Sequence, residues 1–222
     1  LQVQTDEGFA ITTFGDSITD GAFSTPGLNH RYPDFLARRL QAAAIPAGVR
    51  NLGINSNTVT TVRDGGNAGP PGIQRFADDV LRAGTRSVFV LLGTNDLSAG
   101  VPATAVYDAL VDLAAQAQAA GVCMVVSTIL PRNDPPVPFG WDVDTDEPER
   151  RALNALLMNS TAFDAVADVA SAMASPQAIE CAKMMVNPID HTCQDRGACW
   201  YLSCSILKAS PNNTTPNTTG ER

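Results

Sequence analysis

Ser87-Val88-Phe89-Val90-Leu91-Leu92 runs directly into Gly93-Thr94-Asn95-Asp96. Five of the first six residues are apolar with no polar alternation, which reads as a strand buried on both faces that stops at the glycine. Such a strand belongs to a parallel sheet covered by helices on either side. Units of the same kind lie on both sides of it. Upstream, Phe9 to Phe14 ends at Gly15, and Val49 to Leu52 ends at Gly53. Downstream, Val122 to Leu130 is another apolar run, broken by Pro131, and Ala165 to Val169 is a last short strand. Helical spacing fills the gaps. Pro33 to Ala44 places Phe35, Leu36 and Leu40 on one face, and Ile73 to Arg82 carries an apolar stripe of Ile73, Phe76, Val80 and Leu81. Thr104 to Ala120 is Ala-rich and ends at Gly121, and Glu149 to Ser160 is the fourth helix. Five strands separated by helices predict a single α/β domain with a five-stranded parallel sheet covered on both faces. Right-handed crossovers then bring the carboxyl ends of the strands to one edge, where ligands bind in such sheets.

The composition sets the partner class. The chain has 222 residues, 44% of them hydrophobic and 17% charged, with 15 basic against 23 acidic side chains and a net charge of -8. That balance opposes a nucleic-acid partner, whose phosphates reward basic patches, and a polybasic membrane anchor. No apolar run is long enough to cross a bilayer, so stable membrane insertion is not expected. The chain is headed by Leu1 and no signal-like segment follows. Either a signal peptide has been removed or the sequence starts inside its gene. Cys123 reads as a buried thiol in an apolar strand. Cys181, Cys193, Cys199 and Cys204 cluster near the C-terminus and suggest two disulfides in one of three connectivities. A zinc site is the weaker rival, since no C-x2-C pair is present. With sequons at Asn159, Asn212, Asn213 and Asn217, the cluster points to a secreted or extracytoplasmic protein, with the cytoplasm as the remaining option. The domain is expected over residues 1–209, with a disordered polar tail over 210–222.

Three motifs fall at strand ends. Gly15-Asp16-Ser17-Ile18-Thr19-Asp20-Gly21 follows the first strand, Asn51-Leu52-Gly53 closes the second and Gly93-Thr94-Asn95-Asp96 follows the third. Each has an ordinary explanation: a turn serine, a turn glycine, a helix-capping asparagine. Together they carry chemistry. Ser17 N–H, Gly53 N–H and Asn95 Nδ2 are three donors able to meet at one oxyanion, and preorganised donors of that kind are usually the largest catalytic contribution.

In order, GDSITDG, NLG and GTND resemble the SGNH (GDSL) hydrolases, serine esterases and acylhydrolases on a flavodoxin-like three-layer α/β/α fold. The resemblance runs from about Phe9 to Pro176 and takes in RYPDFLARRL and FDAVADVA. It implies Ser17 as nucleophile and Ser17, Gly53 and Asn95 as the oxyanion hole, with neither cofactor nor metal. It further implies small-acyl esters, acetyl groups on carbohydrate, or lipid acyl esters as substrates. The G-x-S-x-G elbow of α/β-hydrolases is absent.

A serine nucleophile needs a base, usually a histidine oriented by a carboxylate. His30 lies in a turn-like stretch after the nucleophile, whereas His191 falls where the family places its catalytic histidine, in Asn187-Pro188-Ile189-Asp190-His191-Thr192-Cys193. The family pattern there is Asp-x-x-His. With His191 as base, the position three residues before it is Pro188, and orientation falls to Asp190 or to a backbone carbonyl in a Ser-His dyad. With Asp190 as the family aspartate, the base position holds Cys193. A catalytically silent binding module that keeps the fold but lacks a working base is the alternative these departures raise. The segment over 177–209 also diverges: Trp200 to Lys208 is short for the closing helix, and the cysteine cluster is a candidate replacement clamp for His191. Asp142, Asp144, Asp146 and Glu147 read as a solvated acidic loop, lacking the glycine and spacing of an EF-hand. Phe139 and Trp141 in that loop are candidates for lining a cleft.

Overall fold

Strand pairing follows the apolar runs closely. The computed structural model describes residues 8–22, 24–62, 68–131, 142 and 144–174. Within them, β1 (Phe9–Gly15), β2 (Ala47–Gly53), β3 (Thr85–Leu91), β4 (Cys123–Ser127) and β5 (Ala165–Ala167) form one sheet in the order β2-β1-β3-β4-β5. Every pairing is parallel. The helices are α1 (Ser17–Asp20), α2 (Tyr32–Ala42), α3 (Gly72–Val80), α4 (Thr94–Leu97), α5 (Ala103–Ala119), α6 (Asp146–Met158) and α7 (Val169–Ala174). The one-turn helices α1 and α4, and α7, carry too little periodicity to be read from sequence.

Side-chain alternation splits the core between two layers. Phe14, Val88, Val90, Met124 and Val126 share one buried cluster with Phe76 and Val80 of α3, Val106, Leu110 and Leu113 of α5, and Leu153 and Leu157 of α6. Phe89 points the other way and meets Tyr32 of α2 edge-on, with ring centroids 5.8 Å apart. This is the expected three-layer α/β/α arrangement.

Three expectations need correction. β4 stops at Ser127, short of Leu130, because pairing ends before apolarity does. Beyond it the Ile129 backbone is met by a side chain: its N–H donates to Asn154 Oδ1 at 2.7 Å, and its carbonyl accepts from Asn154 Nδ2 at 3.0 Å. The acidic loop is also not wholly solvated. α6 begins at Asp146, and both Asp146 and Glu147 are buried. Asp142 N–H donates to Asp146 Oδ2 at 2.7 Å. Glu147 takes a bidentate pair from Arg150 at 2.6 and 2.7 Å and a further bond from Arg151 Nε at 2.9 Å. Arg150 also donates to Ile129 O, so the pair ties α6 to the end of β4. Cys123 is half-buried, more open than a core thiol. Phe139, Trp141, Cys181, Asp190, His191, Cys193, Cys199, Cys204 and everything after Ala174 lie outside the described residues.

The Glu147 pair gives the fold a pH signature. Hydrogen bonds from Arg150, then from Arg151, hold the carboxyl below the usual glutamate range. Above an unfolded glutamate pKa of about 4.3 both states are ionised and the stabilisation is fully present. As the pH falls through the depressed folded value the folded state must take up a proton, and the stabilisation is lost. Glu147→Gln is expected to lower the urea unfolding free energy at pH 7 by about 3 kcal/mol, since it strands a buried guanidinium. It is also expected to flatten the decline between roughly pH 5 and 3. Unfolding curves across that range check both.

Candidate active site

The strand order places the site. The chain leaves β1 towards β2 at one side of the sheet and returns across it to β3, so the connections diverge between β1 and β3. A crevice opens at the carboxyl edge where connections diverge in this way. Ser17 follows β1 at that point, Asn95 follows β3, and the turn after β2 lies beside them.

Ser17 opens α1. Asp16 caps this single turn, its Oδ1 accepting from Ile18 N–H at 2.9 Å. The turn closes on Gly21 at φ 91°, whose N–H donates to Ser17 O. A side chain at Gly21 would strike the Cγ and Cδ of Arg31, so the RYP segment packs directly onto the nucleophile turn. The next residue, Tyr32, brings its hydroxyl within 3.0 Å of Thr19 Oγ1. Burial pushes that phenol's pKa well above the tyrosine range, so it stays a neutral partner. Ser17 itself is half-buried, and neither its hydroxyl nor its N–H has a hydrogen-bond partner among the described residues.

Asn95 is buried in α4, and its Nδ2 donates to Asn57 O at 2.9 Å. Beside it Asp96 is wholly buried and reaches back into the segment after β2. Its Oδ2 accepts from Val59 N–H at 2.8 Å, and its Oδ1 accepts from Thr60 N–H at 2.9 Å and Thr60 Oγ1 at 2.7 Å. Burial nonetheless keeps this carboxyl above the usual range, against the pull of those three donors. The aspartate of GTND is therefore a clamp on the neighbouring loop.

Gly53 has a packing duty besides the one read from sequence. Its N–H donates to Asn51 Oδ1 at 2.9 Å, and Asn51 Nδ2 donates to Thr19 O at 2.8 Å. A Cβ at Gly53 would strike the backbone of Thr19 and Asp20, so the glycine allows α1 to lie against β2. The expected second donor is thus held by the chain's own asparagine. One turn later Ser56 adopts φ 61°, and its N–H makes no hydrogen bond among the described residues. It adjoins Asn57, whose carbonyl holds the Asn95 amide.

Arg75 is the residue that sequence reading missed. Ile73, assigned to the apolar stripe of α3, is 42% exposed, whereas Arg75 is only 4% exposed and stacks on the Phe14 ring at 3.9 Å. The available signal was an arginine three residues after Gly72 with Asp79 four residues on, which places both on one helix face. His30 is exposed and stacks on Phe35 at a centroid distance of 6.1 Å. Asp20 is exposed. Among the described residues no cluster of His, Cys, Asp and Glu suits a metal ion, and no helix is long and apolar enough to cross a membrane.

The profile of the GDSL-like lipase/acylhydrolase family matches residues 13–187. The chain belongs to that family. As a GDSL-family member it is a serine ester hydrolase, acting on small-molecule esters. Solved structures share the fold. AlinE4, a SGNH-hydrolase family esterase, is 18% identical with a TM-score of 0.53, covering 69% of this chain and 71% of its own. The native aryl esterase of M. smegmatis is 21% identical with a TM-score of 0.55, over 65% of this chain and 75% of its own. A member of the lipolytic protein G-D-S-L family from Veillonella parvula is 20% identical with a TM-score of 0.52, over 79% and 83%. No curated protein matches the chain at a significant level.

The Asp96 clamp is testable in this GDSL hydrolase. Asp96→Asn keeps the shape but turns an NH2 group towards one of the backbone N–H donors. The variant is expected to lose about 2 kcal/mol or more of stability, the cost of orphaning a buried donor. Urea unfolding beside the wild type measures it.

Proposed function

We propose that this GDSL hydrolase cleaves small-acyl carboxylic esters through an acyl-enzyme, with Ser17 as nucleophile and His191 as base. The observation that carries this reading is that, among the described residues, the Ser17 hydroxyl and N–H are unengaged at the end of β1, the neighbour of the β3 strand that Asn95 follows. In the first step Ser17 Oγ bonds to the ester carbonyl carbon while His191 takes the hydroxyl proton. The carbonyl oxygen becomes an oxyanion facing Ser17 N–H and Asn95 Nδ2. A further donor comes from the turn after β2. Gly53 N–H serves if Asn51 releases it, and Ser56 N–H is already unengaged among the described residues.

Collapse of the tetrahedral species breaks the carbon–oxygen bond to the alcohol, which leaves with the proton from His191. Water, deprotonated by the same imidazole, attacks the acyl carbon, and the acid leaves as Ser17 recovers its proton. Asp190 or a backbone carbonyl orients His191 in this scheme. Acetyl groups on carbohydrate and lipid acyl esters fall within the same chemistry. The cluster of Cys181, Cys193, Cys199 and Cys204 supports a secreted or extracytoplasmic setting in which both pairs are oxidised.

Hydrolysis of p-nitrophenyl acetate tests the assignment. Ser17→Ala and His191→Ala are each expected to lower kcat by at least about a thousandfold while the fold, read by circular dichroism, stays intact. Wild type no faster than Ser17→Ala would overturn the assignment.

A further inference from the structure

We propose that Arg75 is a positioning residue for catalysis, fixing the oxyanion donors relative to Ser17 through one buried guanidinium. This rests on the esterase reading above. The guanidinium makes five hydrogen bonds to four acceptors. Its Nε and Nη2 donate to Asn57 Oδ1 at 3.1 and 2.9 Å. Its Nη2 also donates to Gly15 O at 3.2 Å, while its Nη1 donates to Leu52 O at 3.0 Å and to Asp79 Oδ2 at 3.0 Å.

The acceptors are those the site depends on. Gly15 O lies two residues before Ser17, at the carboxyl end of β1. Leu52 O belongs to the peptide unit whose N–H is that of Gly53. Asn57 is wholly buried, and its own carbonyl accepts the Asn95 Nδ2 hydrogen bond. Its Nδ2 is spent on Ala68 O and Pro70 O at 2.6 and 2.8 Å, so both ends of the Asn57 side chain are fixed. One cation therefore ties the nucleophile strand, the turn after β2 and, through a single asparagine, the amide of α4.

Arginine suits this task and lysine does not. The planar fork directs several N–H groups along separate fixed lines, and it stays protonated when buried. An ammonium satisfies fewer acceptors and points them at one spot. Donor placement matters most when the oxyanion forms, so misplacement should act on kcat more than on ester binding.

The test measures p-nitrophenyl acetate kinetics for wild type, Ser17→Ala, Arg75→Lys and Asn57→Ala, at a temperature well below each melting point. Arg75→Lys is expected to lower kcat about a hundredfold with KM within about threefold. Inhibition by an alkyl boronic acid, which mimics the tetrahedral species, is expected to weaken by a similar factor. Arg75→Lys that is folded, with kcat within about threefold of wild type, would overturn the proposal, because a merely structural role moves only the melting temperature. If Arg75→Lys does not fold, Asn57→Ala decides by the same criteria, since it removes the Arg75 acceptor and leaves the Asn57 carbonyl. Wild type as inert as Ser17→Ala would sink the esterase reading itself, and this proposal with it.

Discussion

Strand ends pose a hydrogen-bonding problem. The carbonyls of Gly15 and Leu52 lie at the ends of β1 and β2 and require donors. Arg75 supplies them to Gly15 and Leu52, and Ile54 N–H adds a second bond to Gly15 O at 3.0 Å. Burying a charge for this purpose is costly unless every N–H is used. The half-exposed Asp79 and the Phe14 ring complete the set of partners. Without that guanidinium the two strand ends, the Asn57 turn and α3 would lack a common anchor.

Much of this was visible in the residues. β3 was plain because SVFVLL is apolar throughout and glycine follows it. Gly15, Gly53 and Gly93 likewise marked where strands give way to the site. What escaped reading was set by contacts between segments distant in sequence. Beyond β4 the Ile129 backbone is met by Asn154, twenty-five residues along, and no local pattern records that. Glu147 looked solvated among acidic neighbours, yet Arg150 and Arg151, one turn on, draw it inside. Arg75 lay outside the stripe that apolar periodicity drew through Ile73, yet it is Arg75 that is buried and Ile73 that is exposed, since periodicity counts hydrophobes and cannot see a satisfied cation.

The candidate site shows the same division. The places of Ser17 and Asn95 after β1 and β3 were legible because a short motif fixes both the residue and the strand end it follows. Gly53 was legible as a necessary glycine, but close approach and donation require the same residue, so sequence could not separate them. The Asn51 side chain, which accepts from that N–H, is the contact that bears on it. The histidine is hardest for a related reason. An Asp-x-x-His pattern carries its information in spacing, and with Pro188 three residues before His191 the spacing no longer names the partner.

The Asp96 carboxylate also places a clock inside the molecule. The amide hydrogens of Val59 and Thr60 are bonded to it and belong to no strand ladder. They exchange with solvent only when α4 and the loop after β2 part company. Their deuterium uptake therefore reports how often α4 and this loop separate, independently of the slower global unfolding that releases the sheet. A ligand that holds α4 against the loop would slow these two amides and leave the protection of β3 and β4 unchanged.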